Sequence, residues 1–171
     1  INAKGEDFHF ALPFLWVAGS AILNWYGAGF LGMVINTPTI NYFTHGTQLI
    51  MPHGHAAMFG AFGFIAIAFI YMTARANAMA EGHQWSNTLG TLGFWLATLG
   101  IIGFGIPLLF LGFEQGKIAH DMGYYFARLP DALNHMDGWK QIRILPDSMV
   151  IIGAAIIFYD LVTKIYFPKK A

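Results

Sequence analysis

Four long apolar stretches, separated by two short polar breaks and one long one, set the pattern of this chain. Each is long enough to cross a bilayer, which takes about 20 apolar residues in a helix. The first covers residues 10–35 and ends in Asn36-Thr37-Pro38-Thr39, where a proline and polar neighbours stop a helix. The second covers 52–71, with Pro52 suited to a first helical turn. The third covers 89–113, and the fourth runs over 148–167, before Pro168-Lys169-Lys170. The pattern predicts an all-α integral membrane bundle of four transmembrane helices, with residues 1–171 forming a single membrane domain. Segment 114–147 reads as a long extramembrane loop. It holds half of the charged side chains, yet Tyr124-Tyr125-Phe126 and Trp139 make it too aromatic for disorder, so it is expected to fold over one membrane face.

Composition supports a lipid environment. The chain is 56% hydrophobic and 11% charged, against roughly 25% charged residues in a soluble domain. Basic and acidic residues balance at nine each, so no nucleic acid partner is expected. With no cysteine, disulfides, thiolate zinc sites and iron–sulfur clusters are excluded, and seven histidines remain as metal-ligand candidates. The opening Ile1-Asn2-Ala3-Lys4 does not lead into a short apolar core, so no secretory leader is expected. Lys4, Arg75, Lys164, Lys169 and Lys170 fall on one side of the bundle, against Lys117, Arg128, Lys140 and Arg143 on the other. That small excess favours cytoplasmic termini. Glycines crowd the apolar stretches and suit close helix packing, space for a large flat cofactor, or both.

His53-Gly54-His55 opens the second stretch. Successive helical residues turn by about 100°, so residues two apart differ by roughly 200° and face opposite ways. The two imidazoles therefore cannot grip one ion together, which needs a spacing of three or four. Each can serve its own site, and two hemes, one on each side of the helix, satisfy that geometry. The alternative is a pair of interfacial histidines bonded to water or carbonyls. Polar groups at the start of an apolar helix are costly in a membrane, which favours the metal reading.

The run Asn41-Tyr42-Phe43-Thr44-His45-Gly46-Thr47-Gln48-Leu49, followed by His53-Gly54-His55-Ala56-Ala57-Met58-Phe59-Gly60, resembles a signature of the heme–copper oxidase superfamily, specifically its nitric oxide reductase branch. Gly54 between the histidines favours that branch over the oxygen-reducing one. Asn24-Trp25-Tyr26-Gly27-Ala28-Gly29-Phe30-Leu31-Gly32 resembles the preceding helix of the family. Tyr124-Tyr125-Phe126-Ala127-Arg128 and Arg143-Ile144-Leu145-Pro146-Asp147 resemble the loop of its quinol-dependent type.

The resemblance implies a C-terminal portion of a catalytic subunit whose complete fold has twelve or more helices. It implies two b-type hemes: a high-spin heme at the reaction centre, ligated by His53, and a low-spin heme ligated by His55. A non-heme iron is expected in the complex, but its ligands are not in this chain. Remaining helices, or a companion membrane subunit, are the expected partners. The expected location is a bacterial or archaeal cytoplasmic membrane.

Arg128 and Arg143 are candidates for heme propionates, which a guanidinium fork binds bidentately; the alternative is a solvated loop arginine. His45, with Thr44, is a further propionate candidate or a loop hydrogen-bonder. Asp147 is expected to cap the fourth helix together with Ser148, and the resemblance also associates it with a quinol pocket. Asp160 with Lys164, and Glu114 with Lys117, read as surface pairs without a proton-transfer role. The implied activity is reduction of nitric oxide to nitrous oxide with quinol electrons. Alternatives are an NO dismutase-like enzyme, a heme-bearing electron-relay subunit, and a bundle without heme.

Overall fold

The structure is a computed structural model that describes residues 9–170. Lys4 and the opening residues of the chain lie outside the described residues. Helix α1 spans Ala11–Asn36. It stops where Thr37, held extended ahead of Pro38, breaks the hydrogen-bond ladder. A short α2, Pro38–Thr44, leads through a turn at Gly46 (φ 73°) into α3, Ile50–Ala80. Helix α4, Thr88–Asp121, is 34 residues long. Two short helices follow, α5 at Tyr124–Ala127 and α6 at Asp137–Ile142, and α7 closes the fold at Ile144–Tyr166. Among the described residues, four helices are long and apolar enough to cross a membrane.

The long helices alternate in direction. Trp16 of α1 packs edge-on against Phe64 of α3 at 4.7 Å and against Phe94 of α4 at 5.2 Å, and all three are buried. Small residues let the backbones approach. A Cβ on Gly27 of α1 would sit 2.2 Å from that of Ala56 on α3, and one on Gly112 of α4 would sit 2.1 Å from the Leu49 nitrogen. Closely packed helices with small residues at the crossing fit a bundle that gains little from burying apolar surface among lipid tails.

Several boundaries differ from the sequence reading. Helix α3 continues past Tyr71 to Ala80, carried by the alanine-rich run Ala74, Ala76, Ala78 and Ala80. Segment 114–147, expected as a loop, is helical at both ends. Helix α4 continues through Asp121, helped by a Glu114–Lys117 pair at 3.0 Å, and α7 starts ahead of Pro146, which is tolerated in a first turn. Nothing in the hydrophobic periodicity announced a further feature. Asn24–Leu31 in α1 and Ala56–Gly63 in α3 are wound as π-helix, and the two stretches face each other. Such wide turns concentrate near functional sites.

Candidate functional site

His53 and His55 lie in the first turns of α3, just ahead of its π-helical stretch. The ring of His53 turns toward α1, where its Nδ1 lies 2.7 Å from the carbonyl oxygen of Gly27. A Cβ on Gly32, one further turn along α1, would come within 3.0 Å of the same ring. The ring of His55 turns the other way and stands edge-on to Phe104 of α4 at 4.9 Å. Its Nδ1 lies 2.9 Å from the Met51 carbonyl oxygen. The two side chains thus leave α3 on opposite sides, as the two-residue spacing predicts. Gly54 between them faces open space, with nothing within 4 Å of a Cβ placed there.

A carbonyl oxygen can only accept, so each Nδ1 carries the proton and donates. That leaves Nε2 of each ring with its lone pair and without a hydrogen-bond partner among the described residues. This is the tautomer that a metal-binding imidazole takes when its other nitrogen is fixed by a backbone acceptor. Among the described residues no three His, Asp or Glu side chains come together as a metal site, so each histidine would act as a single ligand.

His55 borders a cavity of about 450 Å³ between α3, α4 and α7, walled by Phe59, Ile101, Phe104 and Val150. Arg143 and Asp147 enter it from the start of α7. Arg143 Nη2 lies 3.5 Å from Asp147 Oδ2, while its Nε is buried without a hydrogen-bond partner. An unpaired buried donor is costly. An imidazole with a free nitrogen, apolar walls and a partly exposed guanidinium together suit a flat apolar ligand with an acidic edge.

The other sequence candidates fall elsewhere. Arg128 donates from Nη2 to the His45 carbonyl at 2.6 Å and lies over the Tyr124 ring at 4.9 Å. These contacts hold the turn at Gly46; they do not bring Arg128 or His45 into the His55 cavity. Thr44 donates back to Ile40 within α2 at 2.7 Å. Asp147 and Ser148 do not cap α7. The helix already begins at Ile144, so Asp147 sits inside the first turn and Ser148 donates back to the Ile144 carbonyl at 2.6 Å.

Asp160 and Lys164 require a larger correction. They pair as their spacing predicts, but not at the surface: their side chains are 5% and 10% exposed. Tyr71 of α3 donates its hydroxyl to Asp160 Oδ2 at 2.9 Å, and Lys164 lies over the Trp85 ring at 4.7 Å. An i, i+4 spacing identifies the pair without revealing which neighbouring element covers it. Phe104 and Gly27 were likewise invisible as partners of the histidines, because they come from helices distant in sequence.

The family model described as "Cytochrome C and Quinol oxidase polypeptide I" matches residues 2–154. A nitric oxide reductase subunit of Stutzerimonas stutzeri is 33% identical over 98 residues, which cover 56% of this chain and 21% of that protein. In fold, the chain is similar to a heme-copper terminal oxidase dimer solved by cryo-EM, at a TM-score of 0.70 and 18% identity, covering 94% of this chain and 28% of that one. The matched part thus spans about a fifth of the curated relative's length (21%) and about a quarter of the solved chain's (28%).

Proposed function

Because the chain belongs to the cytochrome c and quinol oxidase polypeptide I family, we propose that it is the heme-binding part of a nitric oxide reductase-type catalytic subunit, reducing NO to N2O with electrons from quinol. The observation that carries this reading is the histidine pair: two imidazoles on opposite sides of one helix, each with Nδ1 held by a carbonyl and Nε2 free. His53 would hold the high-spin heme and His55 the low-spin one. Both would be b-type, as the resemblance implies; the absence of cysteine rules out only thioether attachment to this chain. Hemes bound there would supply one-electron chemistry.

The remaining work falls to side chains of this chain. Gly27 fixes the orientation and tautomer of His53 through its carbonyl. Met51 does the same for His55, and the Phe104 ring packs edge-on against that imidazole. Arg143, whose side chain is a third exposed beside the cavity, would offer its guanidinium to a heme propionate, with Asp147 Oδ2 3.5 Å from its Nη2. The apolar walls of the cavity keep water from that ligand. The non-heme iron and its ligands would come from helices outside this chain, and the assembly would sit in a bacterial or archaeal cytoplasmic membrane.

The likeness to the nitric oxide reductase of Stutzerimonas stutzeri, together with a glycine between the two histidines, favours the nitric oxide branch. The test is turnover of the assembled complex supplied with NO and a reduced quinol. One N2O formed for every two NO consumed, dependent on the quinol, is the expected result. Oxygen release without quinol would replace this reading with dismutation. Heme reduction without NO consumption would leave an electron relay.

A further inference from the structure

At the end of the bundle away from His55, the close of α3, the connection 81–87 and the close of α7 enclose a cavity of about 390 Å³. No step of the proposed reaction uses it. Lys164 lines it and is nine-tenths buried, although burying an ammonium is costly unless it is well partnered. Asp160 is the partner. Its two oxygens each accept from Lys164 Nζ, and one also accepts the Tyr71 hydroxyl. An ammonium has three N–H groups, so one is left without an acceptor among the described residues. The Asp160 clamp and the Trp85 ring fix where that ammonium sits.

A second cation lines the same cavity. Lys169 is exposed and has no ion-pair partner among the described residues. Its position is set by the backbone, since the Gln84 N–H donates to the Lys169 carbonyl at 2.8 Å and ties the segment after α7 to the connection 81–87. Two lysines against one aspartate leave the lining net positive.

The rim identifies the class of anion. Trp85, Tyr159 and Phe167 border the cavity, and the last two are 61% and 72% exposed. They continue into the exposed apolar flank of α7, with Ile165 and Tyr166. Aromatic rings and lysines at the end of an apolar helix mark headgroup level in a membrane. A free anion would use the lysines and leave the aromatic flank idle. A phosphodiester carrying acyl chains uses both.

We propose that this cavity binds the phosphate of an anionic membrane phospholipid through Lys164 and Lys169, with the acyl chains lying along the exposed flank of α7. The inference does not depend on the heme assignment.

Native mass spectrometry of the assembled protein, released from detergent and titrated with phosphatidylglycerol or phosphatidylcholine, tests it. Phosphatidylglycerol is expected to bind more tightly. Lys169→Glu is expected to weaken it by about fivefold or more, the effect of at least one basic residue at an anionic surface. Lys164→Met is expected to weaken it further, and Lys169→Glu decides the matter if Lys164→Met does not assemble. Inorganic phosphate is expected not to displace the lipid. Equal binding of the two lipids would overturn the proposal, as would phosphatidylglycerol binding unaffected by Lys169→Glu. Inorganic phosphate bound at the lysines in place of lipid would overturn it as well.

Discussion

His53 is held from a second helix: its Nδ1 donates to the carbonyl of Gly27 at 2.7 Å. The bond exists because α1 and α3 touch at Gly27 and Ala56, inside the two facing π-helical stretches. A side chain at position 27 would push the helices apart where the ring needs its acceptor. Gly27→Ala is therefore expected to cost about 1–3 kcal/mol through overpacking. It should also disturb the His53 site selectively. Thermal unfolding in detergent measures the first effect. A changed iron–histidine stretch for the high-spin heme alone, with the low-spin spectrum intact, measures the second.

The second prediction concerns the buried cluster at the other end. Removing one partner of a buried ion pair leaves an uncompensated charge and costs about 3–5 kcal/mol. Lys164→Met should incur that penalty, because Asp160 would keep only the Tyr71 hydroxyl. Tyr71→Phe leaves the ion pair whole and should cost only about 1 kcal/mol, a single hydrogen bond. The ranking of the two variants in thermal unfolding checks this difference. Equal and small losses would mean that the pair is hydrated and behaves as a surface bridge.

Arg143 and Asp147 act with opposite sign on whatever His55 holds. With a heme held by His55 as proposed, losing the guanidinium of Arg143 would remove positive charge from beside it and stabilise its oxidised form. Its potential should fall by an amount on the order of the ~59 mV that marks a tenfold shift for one electron. Asp147→Asn removes negative charge and should raise it. Redox titration of the low-spin band in Arg143→Ala and Asp147→Asn reads both shifts; movement in the same direction would contradict the arrangement.

Much of this was legible in the sequence, for identifiable reasons. Helix existence follows from apolar length, which is a local property. The opposed faces of His53 and His55 follow from the helical turn alone, so two residues on one helix sufficed. What stayed hidden required contacts between distant segments. Gly27 and His53 are 26 residues apart, Tyr71 and Asp160 are 89 apart, and no periodicity links them. The choice between the two loop arginines was equally closed to sequence. Arg128 is diverted to the His45 carbonyl by the turn at Gly46, whereas Arg143 is carried into the His55 cavity because α7 begins one turn earlier than the apolar pattern suggests. The π-helical stretches have no composition of their own to betray them.

Whether His53 and His55 serve separate hemes is decided by reduced-minus-oxidised spectra of the assembled protein, recorded for His53→Ala and His55→Ala. His55→Ala is expected to lose the low-spin heme signal and keep the high-spin one, and His53→Ala to do the reverse. Retention of both signals in both variants would contradict the assignment.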